Sequence, residues 1–259
     1  MLIEVIADNS HIRIHFKGDG GVAFAAPIAT EPRQTDFYYA CMIEQLFTLC
    51  GVEKEQIEGV VLASVVPQLT HALMGALSFV TGKRPLNVSS GVKTGLNIRS
   101  DQPQQVGADR VAAAVAAKAR GKLPCVVVDC GAAITFTVLD QSGALAASAI
   151  APGVRMSLEA LRAESAQLPT VALENSVRYD MMARNTADAM RVGAVVGAAA
   201  MIDGMVDRYA EALGETPQVW LTGEGVQLIA RHIRTCWDGA DDLLFEGLRL
   251  IWEKNCQSR

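Results

Sequence analysis

The 259-residue sequence has no C-x-x-C pair, no run of clustered lysine and arginine, no unbroken apolar stretch of membrane-spanning length and no low-complexity segment that reads as a linker. Each absence excludes a class. A structural zinc site needs clustered thiolates or imidazoles, yet Cys41, Cys50, Cys125, Cys130, Cys236 and Cys256 fall at irregular spacings. They read mostly as small buried apolar residues. His11 and His15 share one face of a strand but lack a third ligand. Basic residues number 23 against 28 acids and are scattered, so the net charge of −5 offers no stripe for nucleic-acid phosphates. The chain opens directly on a strand pattern instead of a basic segment followed by an apolar one, which gives the expectation of a cytoplasmic protein that binds no membrane. Half of the residues are apolar, enough to bury a substantial core.

What is present is one device written twice. Ile3-Glu4-Val5-Ile6-Ala7-Asp8-Asn9-Ser10-His11-Ile12-Arg13-Ile14 and Val126-Val127-Val128-Asp129-Cys130-Gly131-Ala132-Ala133-Ile134-Thr135-Phe136-Thr137 each run an apolar strand into a tight polar turn and out into a second strand. A strand, an acid and small polar residues at the turn suit the grip of nucleotide phosphates in two-lobed phosphotransferases.

The surrounding pattern repeats as well. Alternation predicts strands over 11–16 and 22–26 around a Gly18-Asp19-Gly20-Gly21 turn, then a helix over 37–50 stopping at Gly51, a buried strand at 60–63 and a helix over 69–81. An alanine-rich helix over 108–120 leads to strands at 126–129, 133–138 and 144–150. Helices follow over 153–163, 186–213 and 241–255, with a buried strand at 219–221. Three strands followed by mixed helix and strand, once in each half, imply an α/β protein of two lobes of like topology, 1–118 and 119–259. In such folds the loops at the carboxyl ends of strands carry chemistry.

Several groups invite a functional reading, each beside a plainer one. Gly107-Ala108-Asp109-Arg110 places a carboxylate and a guanidinium at a helix start, able to hold an anionic substrate and deprotonate its hydroxyl. Asp at a helix N-terminus is equally favoured as a cap. Asp129-Cys130-Gly131 with Thr135 can hold a cation while amides after it face phosphate, or can be ordinary turn chemistry. Asn185-Thr186 reads as an N-cap, and Thr222-Gly223-Glu224-Gly225 as a nucleotide-side loop or a strand-to-helix turn.

Taken in order, Lys93-Thr94-Gly95-Leu96, Val106-Gly107-Ala108-Asp109-Arg110, Asp129-x-Gly131-x-Ala133-x-Thr135, Ile150-Ala151-Pro152-Gly153, Gln167-Leu168-Pro169, Asn185-Thr186-x-x-Ala189-Met190 and Glu246-Gly247-Leu248 resemble the type III pantothenate kinases over nearly the whole chain. That resemblance implies the acetate and sugar kinase, heat-shock ATPase and actin fold: two ribonuclease-H-like lobes, with a mixed sheet in each and flanking helices, acting as a homodimer. It implies transfer of the γ-phosphate of ATP to the terminal hydroxyl of pantothenate, the first step toward coenzyme A, with Mg2+ and K+ or NH4+. Asp109 would be the general base; Gly107, Ala108, Arg110 and Ser100 would line the substrate pocket, completed by Thr186 from the neighbouring subunit. Asp8, Asn9, Ser10, Gly131, Ala132, Ala133, Thr135 and Gly223 would face ATP phosphates, and Asp129 would hold the monovalent cation.

The departures fall mainly on the ATP side. The family opens on Asp-x-Gly-Asn-Thr, and aligning Asn9-Ser10 with its Asn-Thr puts Ile6 at the metal-holding acid and Asp8 at the glycine. Strand periodicity sends residues 6 and 8 to one face, so Asp8 offers a carboxylate one pleat further on as a substitute metal ligand. Ala132, Ile134 and Thr137 replace two hydroxyl residues and an acid of the second loop; Ser100 replaces a tyrosine, Glu224 a glycine, and Ala147 and Ser148 a glycine pair. Losing such a preorganised group costs about 3–4 kcal/mol, or roughly a hundred- to a thousandfold in rate. Two alternatives stand beside the active kinase: a non-catalytic relative that binds a ligand or pairs with a paralogous subunit, and a kinase for another small hydroxyl substrate.

Overall fold

Apolar residues at 3, 5 and 7 and again at 12, 14 and 16 fold the opening segment into a hairpin, β1 (Leu2–Ala7) and β2 (His11–Lys17), antiparallel with Val5 opposite Ile14. The computed structural model describes residues 1–17, 23–89 and 91–256. β3 (Ala23–Ala29) continues the meander on the far edge of β2, and the turn expected at Gly18–Gly21 lies outside the described residues. Helix α1 (Asp36–Cys50) starts where the Thr35 side chain accepts from the Tyr38 amide and ends at Gly51, whose φ of 66° is readily reached only without a Cβ. β4 (Gly59–Ser64) then pairs parallel with β1, and α2 (Pro67–Thr81) leads to the short β5 (Leu86–Asn87), parallel to β4. The order is β3-β2-β1-β4-β5.

The second half repeats that plan strand for strand. α3 (Ala108–Ala119) precedes β6 (Cys125–Cys130), β7 (Ala133–Leu139) and β8 (Leu145–Pro152), an antiparallel meander in which Asp129 stands opposite Thr135. α4 (Val154–Ala163) is followed by a long connection, then α5 (Thr186–Arg191), one π-helical stretch at Val192–Val196 and α6 (Gly197–Leu213). β9 (Gln218–Thr222) pairs parallel with β6, α7 (Val226–Ile229) follows, and β10 (Asp238–Gly239) pairs parallel with β9. The order β10-β9-β6-β7-β8 mirrors the first sheet.

The chain forms two units: residues up to Leu96, Asp101–Ala116 and the stretch from Leu243 in the first, and Asn97–Ser100 with Ala117–Asp242 in the second. The sequence reading puts everything after 118 in the second lobe; the fold returns the last helix, α8 (Leu243–Cys256), to the first, against β1 and β4. Small residues make room for it. A Cβ at Gly59 would sit 2.5 Å from the Trp252 indole nitrogen, and one at Gly247 would overlap the Ala112 carbonyl oxygen of α3. In the first unit Ile3, Val5, Ile12 and Ile14 pack under Tyr39, Ile43, Phe47, Leu69 and Leu73. In the second, Val126, Val128, Ile134 and Phe136 pack under Val195, Ala199, Ile202 and Val206. Burying each large apolar side chain contributes about 1.5–3 kcal/mol.

Two expectations change. Only Cys125 and Cys130 are buried; Cys41, Cys236 and Cys256 are exposed and Cys50 is half-buried. Burial pushes the Cys125 thiol up to about 12 and the Cys130 thiol higher still, so neither is a nucleophile. The helix expected as one piece over 186–213 is interrupted by the π-helical turn at Val192–Val196. This composite helix is 28 residues long and its most apolar 18-residue window has a mean hydropathy of 1.5, so by length and composition it could cross a membrane, and its buried residues face the sheet.

Candidate active site

The β1–β2 turn is closed by a side chain. Asp8 Oδ1 accepts from the amides of Ser10 at 2.7 Å and His11 at 2.8 Å, and the Asp8 amide donates to the His11 carbonyl at 2.9 Å. The Thr30 hydroxyl donates to the Asp8 carbonyl at 2.8 Å and ties the turn to the end of β3. Asn9 and Ser10 are left exposed at the tip. Ile6, two residues upstream, is buried, with Arg13 directly across on β2. The Arg13 guanidinium lies 3.6 Å from Asp8 Oδ2. On the same strand His15 pairs with the buried Glu4 and packs on Phe245, so its ring is part of an internal pair.

α3 presents the second group of the first unit. Asp109 lies in its first turn, and its Oδ1 accepts from the Arg110 amide at 2.7 Å. A Cβ at Gly107 would overlap that same carboxylate oxygen, so a side chain there would displace the Asp109 carboxylate. Desolvation raises the Asp109 pKa above the ordinary 3.8; the Arg110 amide and guanidinium oppose the shift, and the charge of Asp8 adds to it. A carboxylate with raised basicity at a helix start is suited to taking a proton near neutral pH. Ala108 and Arg110 flank it, half-buried.

In the second unit the β6–β7 turn is closed by backbone. The Gly131 amide donates to the Ala133 carbonyl, and the Gly153 amide to the Ala132 carbonyl, each at 3.0 Å; the Gly225 amide donates to the Cys130 carbonyl at 2.7 Å. These approaches leave no room for side chains. A Cβ at Gly153 would overlap the Ala132 carbonyl oxygen and meet that of Gly131 at 2.6 Å. A Cβ at Gly223, where φ is 96°, would overlap Asp129 Oδ1 and meet the Cys130 oxygen at 2.7 Å. Register sets Thr135, Asp129 and Thr222 abreast on β7, β6 and β9, three oxygen-bearing side chains on one face. Gly131 and Ala132 are exposed at the tip, and Ala133 is half-buried beyond them.

Sequence departures are placed by the same geometry. Ile134 is a core residue and Thr137 is buried, whereas Glu224 points to solvent. Asn185 caps α5, its side chain accepting from the Asp188 amide at 2.9 Å and its amide nitrogen donating to Asp188 Oδ2 at 2.7 Å. The plainer reading holds for Asn185, while Thr186 opens the helix exposed. Ser100 is exposed in the second unit. Arg13 carries no functional reading in the sequence, whereas Gly153 and Gly225 stand within motifs singled out there without a role of their own. The hairpin register would have found Arg13, since six residues lie between it and Ile6 across a tight turn.

Two like-ordered mixed sheets with flanking helices, each with a strand-turn-strand beside its central strand, define an actin-like ATPase and sugar kinase fold of two ribonuclease-H-like lobes. Solved structures of that class agree. The activator of the 2-hydroxyisocaproyl-CoA dehydratase from Clostridium difficile, bound to ADPNP, superposes with a TM-score of 0.53 at 11% identity, covering 99% of this chain and 96% of its own. A protein titled a Baf family transcriptional activator from Campylobacter jejuni gives 0.59 at 18% identity, covering 98% and 99%. The type III pantothenate kinase family model matches residues 4–208. Relatives of that name from Rhizorhabdus wittichii and Exiguobacterium are 34% and 35% identical, the first covering 98% of both chains and the second 98% of this chain and 99% of its own. The chain belongs to the type III pantothenate kinase family.

Proposed function

We propose that the protein transfers the γ-phosphate of ATP to the terminal hydroxyl of pantothenate. The observation that carries this reading is Asp109, a carboxylate of raised basicity at the start of α3 beside Arg110. In the reaction the hydroxyl oxygen attacks the γ-phosphorus, Asp109 takes its proton, and ADP leaves. Gly107, Ala108 and Arg110 hold the substrate, whose carboxylate suits the guanidinium. Asn9, Ser10, Gly131, Ala132, Ala133, Thr135 and Gly223 serve the phosphates.

The two expected cations differ in how well the residues fit them. Asp129, Thr135 and Thr222 offer hard oxygen ligands on one face and fit K+ or NH4+, which when bound would supply positive charge beside the phosphates. The first turn does not fit a divalent ion. Ile6 is apolar and buried, Asp8 Oδ1 is committed to two amides, and a guanidinium stands beside Oδ2. Among the described residues no group of three His, Cys, Asp or Glu gathers for a metal. Mg2+ therefore enters as the counter-ion of ATP.

A homodimer, with Thr186 completing the partner's substrate pocket, is supported by the exposed small residues Ala189, Gly193, Gly197 and Ala200 along one side of the helix. Small soluble substrates support the cytoplasm as its compartment. Purified protein given ATP, Mg2+, potassium or ammonium, and pantothenate should yield ADP and phosphorylated pantothenate in equal amounts by mass spectrometry. ADP release that ignores pantothenate refutes the reading.

A further inference from the structure

We infer that Arg13 is a phosphate-binding residue, supplying from β2 the positive charge that a carboxylate-held metal would bring to the β1–β2 turn; this rests on ATP being the phosphate donor. Arg13 faces Ile6 across the hairpin, so the cation sits beside the apolar residue that stands at the acid's place. Its side chain is only 23% exposed. Its Nε is buried with no hydrogen-bond partner. Its nearest carboxylate oxygen, Asp8 Oδ2, is 3.6 Å away, beyond hydrogen-bond reach, and Phe245 contributes only a ring face, 6.0 Å from Cζ. Burying a guanidinium with its Nε donor unspent is unfavourable, and the arrangement is relieved when an acceptor arrives.

The identity of that acceptor follows from shape and charge. A guanidinium presents a planar fork of five N–H donors, which matches two oxygens of a phosphate and is wasted on a single carbonyl. Asn9 and Ser10 lie exposed at the tip of the same turn, where their polar side chains can meet a phosphate as well. Asp8 and Asp109 are the acids of this region and interact electrostatically with each other, so an incoming polyphosphate needs a compensating cation. Arg13 offsets Asp8 and leaves its fork for the ligand.

Calorimetric titration of ADPNP, with and without EDTA, tests this on wild type, Arg13→Gln and Arg13→Lys, beside KM values for pantothenate. Arg13→Gln should bind ADPNP about ten- to a hundredfold more weakly with pantothenate KM unchanged, and Arg13→Lys several-fold more weakly. Wild-type binding should persist in EDTA. Undiminished binding by Arg13→Gln, wild-type affinity that vanishes in EDTA, or no nucleotide binding by wild type overturns the inference. If Arg13→Gln loses its circular dichroism, Arg13→Lys decides: unchanged ADPNP affinity overturns it and a several-fold loss supports it. Arg13-dependent ADPNP binding without pantothenate turnover would sink the proposed reaction and leave this inference standing; turnover with Arg13-independent binding would do the reverse.

Discussion

The β1–β2 and β6–β7 turns occupy the same place in sheets of the same order, yet a carboxylate helps to close the first and backbone groups alone are seen closing the second. Asp8 closes the first with its carboxylate, taking up the Ser10 and His11 amides and standing beside a guanidinium. Backbone amides close the second, with Gly153, Gly223 and Gly225 pressed so close that no Cβ fits. Topology thus sets where a turn lies, while side chains set what it can hold. On the proposed reading the charged, self-satisfied turn receives an anion through a neighbouring cation, whereas the glycine-packed turn leaves Gly131 and Ala132 exposed at its tip.

The largest expected effect is on the chemistry beside the first turn. Asp109→Asn keeps the size of the side chain and an acceptor for the Arg110 amide but removes the base. Pantothenate-dependent kcat should fall about a hundred- to ten-thousandfold, with nucleotide affinity nearly unchanged. A variant that retains most of its kcat breaks the assignment of Asp109, and with it the division between a catalytic first unit and a phosphate-gripping second turn.

Next in size is a packing change that should act on one turn only. Gly153→Ala drives a methyl group into the Ala132 and Gly131 carbonyl oxygens and should lower unfolding stability by about 1–3 kcal/mol, read from a urea midpoint at constant slope. Because the oxygens struck are backbone atoms of the turn itself, KM for ATP should rise with the loss of stability. An unchanged midpoint would show that the second turn is not held by the close approach of Gly153.

How much of this the sequence discloses depends on whether the determinant is local. Period-two alternation discloses both hairpins, and Gly51 marks the end of α1, because strand faces and left-handed caps are decided by neighbours in the chain. The return of α8 to the first unit is decided by small residues far apart in sequence, Gly59 and Gly247, whose partners Trp252 and Ala112 cannot be read off one segment. The exposure of Cys41, Cys236 and Cys256 is likewise tertiary. At the site, family motifs lead to Asp109, Asp129 and Gly131. Arg13 reads only as an ordinary polar residue of an alternating strand until register sets it against Ile6.

The smallest expected effect is a shift of pH dependence that links the first turn to the base. The charge of Asp8 is a minor cause raising the Asp109 pKa, after desolvation as the main one and against the Arg110 amide and guanidinium. Asp8→Asn keeps an acceptor for the Ser10 and His11 amides, so the turn should hold, but removes that repulsion. With Asp109 as the proposed base, activity should rise with pH through its folded-state pKa, which lies above the ordinary 3.8. Without Asp8's charge that pKa falls, and the acid limb of kcat/KM for pantothenate should move to lower pH while its plateau position on the alkaline side stays put. A limb that does not move would mean that the Arg13 guanidinium screens the Asp8 charge from Asp109, and one that moves upward would show that Asp8 is not among the causes raising the Asp109 pKa.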